Sequence, residues 1–91
     1  MAGGRRSSFE VRIDILRSLA AERGRLKPTH VMYKANLSHK LLKEYLDELK
    51  EKNLIEETYD KQQKFIALTE KGWSFLRQFR EFQEFRETFG I

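Results

Sequence analysis

Between Leu54 and Leu68 the apolar residues stop recurring every three or four positions and begin to alternate. Leu54-Ile55-Glu56-Glu57-Thr58-Tyr59 and Lys64-Phe65-Ile66-Ala67-Leu68 read as two short strands. The polar Asp60-Lys61-Gln62-Gln63 between them reads as a turn, and it holds no Gly, so a two-residue primed turn is not expected. A lone hairpin is barely stable in water. It must therefore lie on the helices whose period surrounds it. The expected fold class is mainly α with a small two-stranded β-hairpin, in the order helix, helix, helix, strand, strand, helix.

The helices carry their own boundary signals. Ser7 with Glu10 fits a capping box, and a helix is expected from about Ser8 to Arg23, ended by Gly24 in the left-handed region. Its apolar set is Phe9, Ile13, Leu16 and Ala20, with Val11, Ile15 and Leu19 beside them. These span an arc of about 200°, wider than one packing partner needs. Val11, Ile15 and Leu19 are accordingly expected at a second surface, shared with another copy of the chain. Thr29 is expected to cap a short helix through Ala35, after which Ser38 caps a third helix to about Lys52. Leu42, Tyr45, Leu46 and Leu49 form the buried stripe of that third helix, with Leu41 at its margin, and Asn53 closes it.

Thr69 caps the last helix, which runs to about Thr88 and changes face along its length. Trp73 and Leu76 share one side, while Phe75, Phe79, Phe82, Phe85 and Phe89 swing toward another. Several exposed Phe side chains are a liability on a monomer. The spacing of Phe75, Phe79, Phe82 and Phe89 suits a coiled-coil seam, so this Phe row is expected to be the dimer interface. Arg77 with Glu81 and Arg80 with Glu84 stand at i,i+4 spacing and are expected to pair. The division expected is a disordered basic arm at 1–7, a domain at 8–71 and a dimerisation helix at 72–91.

Composition narrows the chemistry. The 91 residues contain no Cys and two His, which excludes disulfides and thiolate metal sites and leaves little material for nucleophilic catalysis. His30 and His39 have no acidic cluster beside them, and no cofactor, metal or small-molecule ligand is indicated. No apolar run suits a membrane span, and no basic-plus-apolar leader opens the chain. The expectation is a cytoplasmic module that binds a partner and is not an enzyme. The net charge of +4 matters by location: residues 1–28 hold seven basic against three acidic side chains, and residues 72–91 are balanced.

Three helices followed by a hairpin can present one helix and one arm side by side, and an α-helix fits the major groove of B-DNA. Thr-His-Val-Met-Tyr-Lys-Ala-Asn-Leu at 29–37 resembles the short helix and turn of archaeal winged helix-turn-helix DNA-binding proteins. Residues 42–57 resemble their recognition helix running into the first wing strand, and Leu68-Thr69-Glu70-Lys71-Gly72 resembles the junction to their last helix. The nearest likeness is to small basic chromatin-type members, and it covers about residues 8–89. It implies a dimer held by an antiparallel C-terminal coiled coil. Two departures are Asn53, where Gly is common, and the sparsely basic wing tip Lys61-Gln62-Gln63-Lys64.

The expected DNA contacts follow from that layout. Ser38, His39, Lys40 and Lys43 form the start of the recognition helix, and Glu44, Asp47, Glu48 and Glu51 make its remainder acidic. Thr29, Tyr33 and Lys34 lie on the short helix, with Tyr33 equally suited to the core. Lys61, Gln62, Gln63 and Lys64 form the wing, and Arg5 and Arg6 a flexible arm for the minor groove. The recognition helix carries no Arg, Asn or Gln, so the bidentate pairings that distinguish guanine and adenine are missing. The expected function is a homodimer binding double-stranded DNA with weak sequence preference. The rival is a winged-helix protein-interaction module in a larger transcription complex.

Overall fold

The computed structural model describes residues 6–91. Helix α1 (Ser8–Ala21) is followed by a two-residue strand β1 (Arg25–Leu26), then α2 (Pro28–Ala35) and α3 (His39–Glu51). The hairpin is β2 (Ile55–Asp60) and β3 (Gln63–Leu68), and α4 (Glu70–Phe89) ends the chain. The sheet has three antiparallel strands in the order β1-β3-β2, one more than the sequence suggested. Strand β1 pairs Arg25 with Ala67 and Leu26 with Ile66, too short a stretch to show a period of its own.

Local chemistry sets the helix ends. The Ser7 hydroxyl accepts from the Glu10 N–H while the Glu10 carboxylate accepts from the Ser7 N–H, at 3.1 and 2.8 Å. At the other end of α1 Gly24 has the expected positive φ (98°), and Arg23 before it shares the left-handed turn (φ 64°). The Gly24 N–H then reaches back to the Leu19 carbonyl at 2.7 Å. Asn53 (φ 62°) closes α3 in the same way. The hairpin turn departs from expectation. Lys61 and Gln62 are its only two residues, and both have positive φ (52° and 69°), the backbone of a primed turn without a Gly. Six cross-strand pairs, Ile55↔Leu68 through Asp60↔Gln63, lock that register and offset a turn strain of about 1 kcal/mol per residue.

The core gathers under α1. Ile15, Leu16, Leu19, Val31, Leu49, Ile55 and Ile66 are fully buried. Helix α1 packs against α2, β1, β3 and α4 at once, which accounts for its wide apolar arc. Val11, Ile15 and Leu19, expected at a dimer surface, therefore belong to the core of one chain: they are 7%, 0% and 0% exposed. The second surface of α1 is its own α4.

Helix α4 presents two stripes. Leu76 and Phe79 turn toward α1, where the Phe9 and Phe79 rings meet edge to face at 5.6 Å and Arg17 hydrogen-bonds Gln83. Phe79 is thus half-buried in its own domain, stacked with Phe75 at 6.4 Å, and is withdrawn from the expected dimer seam. Phe82, Phe85 and Phe89 remain exposed. The expected boundary at 72 falls inside α4, which begins at Glu70 and meets α1 as far along as Gln83. Gly72 is the one buried residue of α4, and it lies so close to the Leu54 carbonyl oxygen that a Cβ there would overlap it.

Candidate nucleic-acid interface

Helices α2 and α3 are joined by Asn36 (φ 56°) and Leu37, and Ser38 opens α3 with its hydroxyl accepting from the Leu41 N–H at 3.2 Å. That hydroxyl is therefore engaged inside the helix. His39, Lys40 and Lys43 follow on the exposed side of the first turns. Pro28 occupies the first turn of α2, so Lys27 takes the cap position without a side-chain hydrogen bond. This displaces Thr29 from capping into the first turn, because proline's fixed φ and missing N–H suit that start. Thr29, Tyr33 and Lys34 are all exposed, Tyr33 by 75%, which removes Tyr33 from the core.

The wing stands beside α3, and the two are stitched by charge. Lys43 pairs with Asp47 at 3.0 Å, Asp47 with Lys50 at 3.6 Å, Lys50 with Glu57 at 2.7 Å and Glu57 with Lys64 at 3.3 Å. This line crosses from recognition helix to wing with three cations and two anions. The Lys50 ammonium holds the Glu57 carboxyl below its ordinary pKa, with Lys64 adding to the effect. The Lys43 ammonium does the same to Asp47. Lys34 is paired with Glu22 at 3.5 Å. Of the lysines expected at DNA, Lys40 and Lys61 have no ion-pair partner among the described residues. Gln62 and Gln63 are exposed at the tip.

Two residues of this face escaped the sequence reading. Lys50 carries no signal of its own in the sequence, yet it bridges helix and wing; its place seven residues before Glu57 shows this only once the hairpin is folded back. Tyr59 is 66% exposed and sits opposite Lys64, on the same strand face as Glu57. Its alternation with Ile55 and Glu57 was the available signal.

Other expected residues lie elsewhere. Arg5 is outside the described residues. Arg6 is not a free arm: it donates to Asp14 Oδ2 at 2.7 Å and to the Ala35 carbonyl at 2.6 Å, neutralising the C-terminal end of α2. Arg12 makes a bidentate pair with Glu48 at 2.8 and 2.9 Å, tying α1 to α3 and depressing the Glu48 pKa. Glu48 is thereby removed from the acidic face expected on α3. The pairs expected between Arg77 and Glu81 and between Arg80 and Glu84 are absent among the described ion pairs. Among the described residues no group of three His, Asp or Glu is placed to hold a metal, and no helix is long and apolar enough to cross a membrane.

An exposed helix follows a tight helix–turn, flanked by a hairpin and backed by a last helix, and the pattern of a winged helix-turn-helix family matches residues 5–87. The chain is a winged helix-turn-helix protein. Among solved structures, Sso10a-2, a DNA-binding protein from Sulfolobus solfataricus, superposes with a TM-score of 0.72 at 27% identity, over 92% of this chain and 85% of that one. MepR, a transcription regulator of a Staphylococcus aureus multidrug efflux pump, gives 0.76 at 25% identity, over 87% of this chain and 61% of its own length. A winged-helix DNA-binding protein from STIV gives 0.71 at 22% identity, covering 88% and 92%, a likeness of fold. No curated protein sequence matches the chain.

Proposed function

We propose that this winged-helix protein binds double-stranded DNA with weak sequence preference, as a homodimer joined by α4. Its role is then that of a cytoplasmic nucleoid-associated protein or transcription regulator. The observation that carries this reading is the exposed N-terminal turn of α3 with Lys40, standing beside a wing tipped by Lys61, neither lysine having an ion-pair partner among the described residues. Helix starts and lysines are suited to phosphates, which position without reading bases. The absence of Arg, Asn and Gln from α3 supports weak preference.

The test is a salt titration of duplex binding. About four phosphate contacts per dimer give a log–log slope near −3.6. Lys40→Glu with Lys43→Glu lowers both affinity and slope while leaving the fold intact, because both side chains are exposed and the lost Lys43–Asp47 pair is a solvent-screened i,i+4 contact of little weight. Affinity that is flat with salt, or unaltered by the double substitution, refutes the reading.

One observation favours the rival protein-interaction role: Lys43 and Lys64 already have carboxylate partners on this face. Absence of duplex binding even at low salt would transfer the interface to a protein partner.

A further inference from the structure

A groove of about 430 Å³ lies between α1 and the first half of α4 and shares no residue with the cleft between α3 and the wing. Its floor is apolar, formed by Trp73, Leu76 and Phe79 with Ala20, and its rim is Arg17, Arg77 and Arg80. No Asp or Glu lines it. Arg17 is positioned by its hydrogen bond to Gln83 Oε1 at 2.9 Å and by the Phe79 ring, whose centroid lies 5.3 Å from the guanidinium carbon. Arg77 and Arg80 have no carboxylate within 4 Å among the described ion pairs, although Glu81 and Glu84 stand one turn further on. The Trp73 ring is seated against the backbone of buried Gly24, where a Cβ would come within 2.8 Å of it.

Three guanidiniums around an apolar floor, with no acid among them, form a site of mixed character. Arginine forks match a carboxylate in two parallel hydrogen bonds. The aromatic floor offers nothing to a phosphate backbone, so duplex DNA would use the rim and waste the floor. A second copy of the chain is disfavoured by register. The exposed stripe of α4 runs Gln78, Phe82, Phe85, Phe89, with steps of 4, 3 and 4. Against that seam Arg77 and Arg80 take positions turned away from a partner helix. The volume falls within the range of small-molecule sites.

We propose that this groove binds a small organic carboxylate with an apolar body. Arg77 and Arg80 hold the carboxylate, and Trp73, Leu76 and Phe79 cover the body. The site lies within one chain and does not depend on the DNA-binding reading.

Trp73 is the sole tryptophan, so its emission reports the groove directly. The experiment titrates the full-length protein with phenylbutyrate, with phenylbutanol as the neutral counterpart and acetate as the anion without a body. The expected result is a saturable change with phenylbutyrate, and affinities at least about tenfold weaker for both controls. Arg77→Gln with Arg80→Gln weakens phenylbutyrate by about tenfold or more, with melting temperature and oligomeric state unchanged. Four results would each overturn the proposal. They are no saturable change, an alcohol that binds as well as the acid, an arginine variant that binds like the wild type, and an arginine variant with altered oligomeric state. Displacement of phenylbutyrate by duplex DNA in the Lys40→Glu, Lys43→Glu protein would also overturn it, making the groove a phosphate surface.

Discussion

Replacing Phe82 and Phe85 with Glu is expected to convert a dimer into a folded monomer. Each ring is 57% exposed in the single chain. A phenylalanine buries about 200 Å² when fully covered, so a partner covers up to about 115 Å² more of each. Two rings on each of two chains come to about 460 Å². At about 25 cal/mol per Å² that is about 11 kcal/mol of gross association free energy. Even half of this changes the dissociation constant by about four orders of magnitude, and the four introduced carboxylates repel one another. Sedimentation or light scattering over a range of concentrations reads the outcome. Circular dichroism supplies the control: neither ring supports the core of one chain, so the helix content of a folded monomer should hold, while the melting temperature loses the contribution of the partner. A dimer that survives the double substitution, or a wild-type protein that is monomeric at tens of micromolar, would refute the assignment of the Phe82–Phe85–Phe89 stripe.

Further outcomes concern charge and packing. Glu57→Gln releases Lys50 and Lys64 for phosphate and should tighten duplex binding, steepening the salt slope by up to about 0.9 per freed lysine; weaker binding would show that Glu57 positions those lysines productively. Gly72→Ala should lower the melting temperature, because overpacking against the Leu54 carbonyl costs about 1–3 kcal/mol and the helix-propensity gain is at most about 1; a stabilised variant would contradict the close approach. Glu48 has a depressed pKa because Arg12 hydrogen-bonds its ionised form. Its contribution is therefore complete above the ordinary carboxylate pKa and is lost as pH falls through the depressed value. Glu48→Gln should flatten the acid side of a stability–pH profile by up to about 1 kcal/mol, and an unchanged acid slope would remove the pair from the account.

Much of the fold was legible because its punctuation is local. Ser7 with Glu10, Ser38, Asn53 and Thr69 each act on backbone groups within a few residues, so their roles follow from neighbours in the chain. The errors fell where two apolar answers were equally compatible with the period. On α1, a wide arc implied two packing surfaces, and both proved to lie within the same chain. On α4, Phe75 suits either a stripe through Phe79 or one through Gln78. Only the contact between Phe79 and Phe9 decides that the first faces the domain. The glycine-free turn was misjudged because six strand pairs overrule the preference of two residues.

The expected DNA-facing lysines show the same division. Sequence identified Lys40, Lys43, Lys61 and Lys64 as basic and exposed in pattern, and it placed acids among them. It could not show that Lys43 and Lys64 are tied into one line through Asp47, Lys50 and Glu57, because that line joins a helix to a strand folded back beside it. The arginine-rimmed groove draws Arg17 from α1 and Arg77 and Arg80 from α4, sixty residues or more away along the chain. The sequence by itself determined the elements, their caps and their order, since these depend on hydrogen bonds and periods spanning a few residues. Tertiary structure alone decided which apolar stripe is covered and which charges meet, since both depend on distances set by packing between segments remote in sequence.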